Sequence, residues 1–88
     1  MGRQAKVLRQ VLSRSSDQSI HFDELCSLLR QMGFVERIRG SHHVFFREDV
    51  TEQLNLQRLG SSAKGYQVRQ VRKLLLEYGL VELPPPED

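Results

Sequence analysis

The chain is 88 residues long, with 39% hydrophobic and 27% charged residues, which fits one small globular domain and leaves too little core to enclose a deep cavity. Its 13 basic and 11 acidic residues give a net charge of +2, but three of the acids lie among the last seven residues, so residues 1–81 carry +5. A single cysteine, Cys26, excludes an internal disulfide and fits a reducing cytoplasm, and no apolar run approaches the ~20 residues that span a membrane.

Two helices are predicted in the first third of the chain. Residues 4–14 carry an apolar stripe at helical spacing, formed by Val7, Leu8, Val11 and Leu12. A polar connector without periodicity follows, and residues 22–32 then show a second stripe with the spacing i, i+3, i+4 and i+7. Gly33 stands where a left-handed residue ends a helix, so we expect the second helix to stop there.

After the second helix the hydrophobic period changes from 3.6 to 2, and three strands are predicted. They cover residues 34–39, 42–47 and 53–59. Gly40 separates the first two strands and is expected to form the turn between them. The short connections favour an antiparallel meander, and residues 60–65 are expected to form a flexible loop.

A last helix is predicted over residues 66–78, with Gly79 as its stop. Its basic residues are expected to face outward: Arg69, Arg72 and Lys73. Residues 82–88 hold three prolines and three acids and are expected to form a disordered tail beyond a single domain of residues 1–81. The predicted fold class is α+β, in the order α-α-β-β-β-α, with one antiparallel sheet whose helices pack on one face.

Strand alternation divides the sheet residues between a face covered by helices and an open face. Leu54, Leu56 and Phe45 are expected to point inward, with His43 on their side. The open face then carries basic, titratable, aromatic and amide side chains: Arg37, Arg39, His42, Phe46, Asn55 and Gln57. That combination suits RNA whose bases are accessible for stacking.

Four further residues complete the predicted RNA-binding set. Ser41 lies in the predicted turn, beside Gly40. Lys64, Arg69 and Arg72 lie at the start of the last helix and along it. Arginine suits phosphate because its planar fork donates two hydrogen bonds at once, and ten of the 13 basic residues are arginines.

The histidines and the cysteine do not form a recognisable metal-binding pattern. His42 and His43 are neighbours on one strand and point to opposite faces, so they cannot share an ion without distorting the strand. Cys26 and His21 add no ligand spacing that is typical of a metal site. The sequence therefore predicts neither a metal nor a cofactor, and His42 is the one imidazole expected on the open face.

Two segments of the chain resemble HicA-type toxins, which are small ribonucleases of bacterial and archaeal toxin–antitoxin pairs. The first segment is Arg39-Gly40-Ser41-His42-His43-Val44-Phe45, preceded by Gly33-Phe34. The second is Ala63-Lys64-Gly65-Tyr66-Gln67-Val68-Arg69-Gln70-Val71-Arg72, preceded by Leu54-Asn55-Leu56-Gln57. The resemblance covers about residues 20–81 and includes the family's order of elements.

The resemblance implies a fold like a double-stranded-RNA-binding domain and an enzyme that cleaves mRNA. It also implies a HicB-type antitoxin as the partner protein, with DNA as a partner only indirectly, through the antitoxin complex. The catalytic residue of the family is the first histidine of Gly-Ser-His-His, which is His42 here, and Gly40 matches the family's turn glycine.

Two other interpretations of the sequence remain open. The sheet could bind RNA by shape without cleaving it, and His42 would then be an ordinary polar residue at the start of a strand. Two helices before a hairpin also occur in winged-helix DNA-binding domains, although such a domain places a third helix before the wing.

Overall fold

The computed structural model describes residues 3–13 and 20–81, which fold into three helices, a three-stranded sheet and a two-stranded sheet. The helices and strands are α1 (Arg3–Leu12), α2 (Phe22–Gln31), β1 (Val35–Arg39), β2 (His42–Arg47), β3 (Val50–Leu56), β4 (Arg58–Leu59), β5 (Ser62–Ala63) and α3 (Gly65–Glu77). The predicted tail, residues 82–88, lies outside the described residues, as does most of the predicted connector. The prediction of a small α+β domain with a three-stranded antiparallel sheet is confirmed.

The three-stranded sheet has the order β1-β2-β3, and both pairs of strands are antiparallel. Its helix-covered face buries Phe45, Leu54 and Leu56, each at most 4% exposed. These side chains join residues of all three helices in one hydrophobic core, which includes Val7, Leu25 and Val71. The alternating strand residues stay at least partly exposed, so the sheet has one buried face and one open face.

Helix α2 ends through a glycine, as the sequence predicts. Gly33 has φ +90°, the left-handed conformation that is easiest for a residue without Cβ. The backbone N–H of Gly33 donates to Arg30, and the N–H of Phe34 donates to Leu29. This pair of bonds is a Schellman motif, and it lets Phe34 pack back into the core at the start of the sheet.

The predicted third strand and the loop after it need correction. The third strand is Val50–Leu56 rather than residues 53–59, because the ladder with β2 begins directly after the tight turn at 48–49. Residues 60–65, predicted to be a flexible loop, contain β5, which pairs with β4 across a Gly60-Ser61 turn. This hairpin is held in place because Ala63 donates its N–H to Ile20 and Phe22 donates its N–H to Ser61.

Helix α1 packs against α2 and α3 and therefore adds to the helical layer. Its apolar stripe buries Val7, Val11 and Leu12. Because α1 covers part of α3, the prediction that Arg72 faces outward is wrong. Arg72 is 8% exposed, and its Nη1 donates to the carbonyl oxygen of Val11 at 3.1 Å, near the end of α1 where helix carbonyls lack partners within the helix.

Among the described residues, no helix has both the length and the apolar character needed to cross a membrane.

Candidate nucleic-acid interface

The open face of the sheet brings together the basic and histidine residues that the sequence singled out. In the β1–β2 ladder, Arg39 is paired with His42 and Arg37 with Val44, and paired residues share a face. The β2–β3 ladder adds Asn55, which is paired with Val44. His42 thus lies exposed at the start of the central strand, with an arginine on one side and an amide on the other.

The ring of His42 is oriented by a neighbouring amide. Its Nδ1 lies 2.9 Å from Oδ1 of Asn55. Because an amide oxygen only accepts hydrogen bonds, Nδ1 is the donor, and in the neutral ring the lone pair is then on Nε2. In this arrangement Nε2 is the nitrogen of His42 that is available to take up a proton.

The adjacent histidine has a different environment on the opposite face. His43 donates from Nδ1 to Oε2 of Glu36 at 2.8 Å, and its side chain is 17% exposed. Its ring meets the edge of Phe22 with a centroid distance of 4.9 Å and an interplanar angle of 75°. His43 is thus part of the packing between the sheet and α2.

An arginine–aromatic pair lies on the open face beside the histidine. The guanidinium of Arg37 lies 5.4 Å from the centroid of the Phe46 ring, in cation–π geometry. These two side chains line a shallow depression of about 370 Å³, together with Arg39, Val44 and Gln53. A planar cation over an aromatic ring offers a surface on which a nucleotide base can stack.

A groove of about 510 Å³ runs between β3 and α3 and begins at His42. Its walls are rich in amides and carry one lysine and one glutamate; among the lining residues are His42, Glu52, Gln53, Asn55, Gln57, Tyr66, Gln70 and Lys73. Tyr66 is 50% exposed. Amide and hydroxyl groups hydrogen-bond to base edges and sugars, while the lysine can pair with phosphate.

The sequence prediction missed Tyr66 and Gln70, and it gave Lys73 no role in binding. A signal for them was present, since Tyr66, Gln70 and Lys73 have the spacing i, i+4 and i+7 and share one face of α3. A prediction based on basic residues alone favours Lys64 and Arg69 instead.

Those two basic residues lie outside the lining of the groove. Lys64 is half-exposed at the N-cap position of α3, and Arg69 is exposed on the helix. Both are accessible to a polyanion, whereas the burial of Arg72 removes it from the predicted RNA-binding set.

The turn between β1 and β2 is tied to the groove by hydrogen bonds. Gly40 has φ +59°, as its predicted place in the turn requires. Ser41 accepts a hydrogen bond at 2.9 Å from Nε2 of Gln57. The backbone N–H of Gln57 donates in turn to Oε1 of the buried Gln67 at 3.3 Å. This chain of bonds holds the turn, and therefore His42, against the start of α3.

The structure also brings together three potential metal ligands that the sequence prediction left apart. Cys26, Glu36 and His43 each offer a ligand atom, and these atoms lie within 4.8 Å of one another. Burial raises the pKa of the Cys26 thiol from 9.0 to about 12, and the nearby Glu36 carboxylate adds to the rise. The cluster lies on the helix-covered side of the sheet, away from His42.

Compared with known proteins, the chain matches no family model, no curated protein and no solved structure.

Proposed function

We propose that the protein is an endoribonuclease of the HicA type, a cytoplasmic toxin that cleaves mRNA without a metal ion and is neutralised by a HicB-type antitoxin. The observation that carries the proposal is the environment of His42, which is exposed on the open face with Nδ1 bonded to Asn55. The proposal includes a fold like a double-stranded-RNA-binding domain, with α2, the three-stranded sheet and α3 as its core.

The chemistry requires that a 2′-hydroxyl of RNA attacks the adjacent phosphorus while the bond from phosphorus to the 5′-oxygen of the next nucleotide breaks. A 2′,3′-cyclic phosphate forms, and the leaving 5′-oxygen takes a proton from solvent water. In the proposed mechanism Nε2 of His42 takes the proton of the 2′-hydroxyl as a general base, a contribution of typically about 10²–10⁴-fold. Asn55 keeps the ring in the tautomer that this step needs. Arg39, the cross-strand neighbour of His42, is suited to stabilise the negative charge that develops on the phosphorus oxygens.

In the proposed complex, the groove that His42 lines and the depression at Arg37 and Phe46, farther along the open face, bind the RNA on either side of the cleaved bond. The Arg37–Phe46 pair offers stacking and charge on the β1 side, and the amide groove offers hydrogen bonds on the α3 side. Both sites favour unpaired nucleotides, because paired bases in an A-form helix present neither their faces nor most of their edges.

The experiment is a cleavage assay on long single-stranded RNA in excess EDTA. We expect the wild-type protein to cleave and His42→Ala to be inactive. His21→Ala is the matched control. His21 is exposed at the N-cap position of α2, and its side chain makes no capping hydrogen bond, so this variant should cleave RNA normally.

A second arm of the assay tests the role of Asn55. At saturating RNA concentration, Asn55→Ala should cleave about 10–100-fold more slowly, since one lost hydrogen bond to a polar group costs about 1–3 kcal/mol. Wild-type protein that binds RNA and never cuts it would replace the ribonuclease with a non-catalytic RNA-binding module. Cleavage that appears only when Mg²⁺ is added would contradict the metal-independent mechanism.

A further inference from the structure

The side-chain cluster of Cys26, Glu36 and His43 lies where α2 packs on β1 and β2. Cys26 is 2% exposed, and the side chains of Glu36 and His43 are 14% and 17% exposed. One ligand atom from each residue lies within 4.8 Å of the other two. The three residues come from three different elements, so the proximity arises from the fold and not from a local sequence motif.

We propose that Cys26, Glu36 and His43 bind a zinc-class divalent cation. A thiolate, a carboxylate and an imidazole are the three ligand types that proteins use for Zn²⁺, and the thiolate disfavours Mg²⁺ and Ca²⁺. Because Glu36 and His43 are partly exposed, a water molecule can complete a four-coordinate site. The site is distinct from the proposed catalytic face and needs no RNA.

The present geometry is close to what such an ion requires. Metal–ligand bonds of about 2.0–2.3 Å place tetrahedral ligand atoms roughly 3.3–3.7 Å apart. Nδ1 of His43 and Oε2 of Glu36 are now 2.8 Å apart in a hydrogen bond, and the widest separation in the cluster is at most 4.8 Å. Movements of up to about an ångström therefore bring the ligand atoms to the separations that the ion requires.

Charge and protons balance when the ion binds. The thiol of Cys26 releases its proton to the buffer, and the proton on Nδ1 of His43 is replaced by the metal while Nε2 carries the ring proton. One thiolate and one carboxylate then cancel the two charges of the ion. Outside the ligands, Arg30 lies 3.4 Å from Oε1 of Glu36, and the Phe22 ring contacts His43, so both ligands are already oriented by neighbours.

Cobalt binding gives the most direct test, because a Co²⁺–thiolate bond produces a charge-transfer absorption in the near ultraviolet that oxygen and nitrogen ligands do not. We expect protein stripped with EDTA and then dialysed to bind one Co²⁺ with this band, and Zn²⁺ to displace it. Zn²⁺ should also raise the melting temperature, increasingly with its concentration.

Variants decide whether these residues hold the ion. Cys26→Ser should abolish the charge-transfer band and weaken Zn²⁺ binding by more than the roughly 10–100-fold that an outer neighbour contributes. His21→Ala and His42→Ala, which alter histidines outside the cluster, should bind Zn²⁺ as the wild type does. If Cys26→Ser does not fold, Glu36→Gln provides the same comparison of affinity.

Two results overturn the proposal. Wild-type protein that binds neither Co²⁺ nor Zn²⁺ at micromolar concentration leaves the cluster as a hydrogen-bonded part of the core. Binding that survives in folded Cys26→Ser and Glu36→Gln places the ion elsewhere. Neither result bears on RNA cleavage, which is measured in EDTA.

Discussion

His42 and His43 are adjacent in the chain, but they contact different parts of the molecule. His42 is exposed and bonded to Asn55, while His43 is bonded to Glu36 and packed on Phe22. Replacing each by alanine should therefore have different effects on stability, independently of any effect on RNA.

We expect His42→Ala to change the free energy of unfolding by no more than about 0.5 kcal/mol, as is usual for an exposed site. His43→Ala should lower it by about 1–3 kcal/mol, because Glu36 loses a hydrogen-bond partner in a half-buried position. Thermal unfolding of both variants in one buffer with EDTA checks this. Equal melting temperatures would contradict the assignment of the two strand faces.

Cys26 predicts a loss of stability at alkaline pH. Its pKa is about 12 in the fold and 9.0 as a free thiol, so the unfolded chain releases the proton first as pH rises. The contribution of the Cys26 thiol to the free energy of unfolding is fully present below pH 9. It falls between pH 9 and 12, by at most about 1.4 kcal/mol per pH unit.

Urea unfolding of the metal-free protein from pH 8 to pH 11 measures this effect. Cys26→Ala should show a shallower decline, and the difference between the two slopes isolates the thiol from Tyr66, Tyr78 and the lysines. The groups that surround the thiol are Glu36, Arg30, Asp23, Arg58 and His43, and they are the same in both proteins. Parallel slopes would contradict the raised pKa.

For individual residues, strand alternation is enough to predict the environments of His42 and His43. It also placed Arg37, Arg39 and Asn55 on the open face, because period 2 leaves no choice once one face is buried. It could not predict the Cys26–Glu36–His43 cluster, since residues 10 and 7 positions apart meet there only through the packing of a helix on a sheet. The roles proposed for these residues stay predictions.

Among the elements, α1 supplies a hydrogen-bond acceptor for Arg72, a residue of α3. Val68, Val71 and Leu75 define the buried stripe of α3, and Arg72 beside it is also buried. Its guanidinium donates to the carbonyl of Val11 near the end of α1. A cation at the end of a helix also interacts favourably with the helix dipole.

We therefore expect Arg72→Ala to destabilise the protein by about 1–3 kcal/mol through the lost bond and packing, and to leave the salt dependence of RNA binding unchanged. Arg69→Ala, on the exposed side of the same helix, is the control and should barely change the melting temperature. Denaturant unfolding of both variants measures the difference. A stable Arg72→Ala with reduced RNA affinity would restore Arg72 to the RNA-binding set.

The long elements could be predicted from the sequence, and the short ones could not. The three helices and the first two strands lie close to their predicted positions because each has several turns or alternations of pattern, whereas the third strand begins three residues earlier than predicted. Strands β4 and β5 have two residues each, too few for any periodicity, and they exist because they pair with each other and with Ile20 and Phe22. Residues 60–65, which include β5, hold two glycines and two serines and resemble a loop, while β4 falls at the end of the predicted third strand.

For the whole molecule, the proposed function requires that RNA contacts a broad basic surface. Neutralising one phosphate contact should reduce the slope of log K against log salt by roughly 0.7 for single-stranded RNA. We expect this for Lys73→Ala, whose side chain lines the groove, and for Lys64→Ala. Lys6→Ala, on the exposed side of α1, is the control and should leave the slope unchanged. Filter binding over a range of salt concentrations provides the measurement.

The proposed antitoxin should cover the same surface. Val44 and Phe46 lie beside Arg37 and Arg39, so a partner with acidic and apolar residues would be complementary to this face. Coexpression with the protein encoded next to this gene should give a stable complex that neither binds nor cleaves RNA. A neighbour that forms no complex and does not relieve toxicity would contradict the toxin–antitoxin proposal.

Strand β1 is an outer strand of its sheet, and this has a consequence for how the molecule behaves in solution. Val35 and Ile38 are 52% and 60% exposed on a strand whose outer edge can pair with another chain. Charged side chains at Arg37 and Arg39 discourage such pairing between copies, since like charges would meet along the edge. In the proposed function the same two arginines also bind RNA, so we expect a variant that loses both to lose RNA affinity and solubility together.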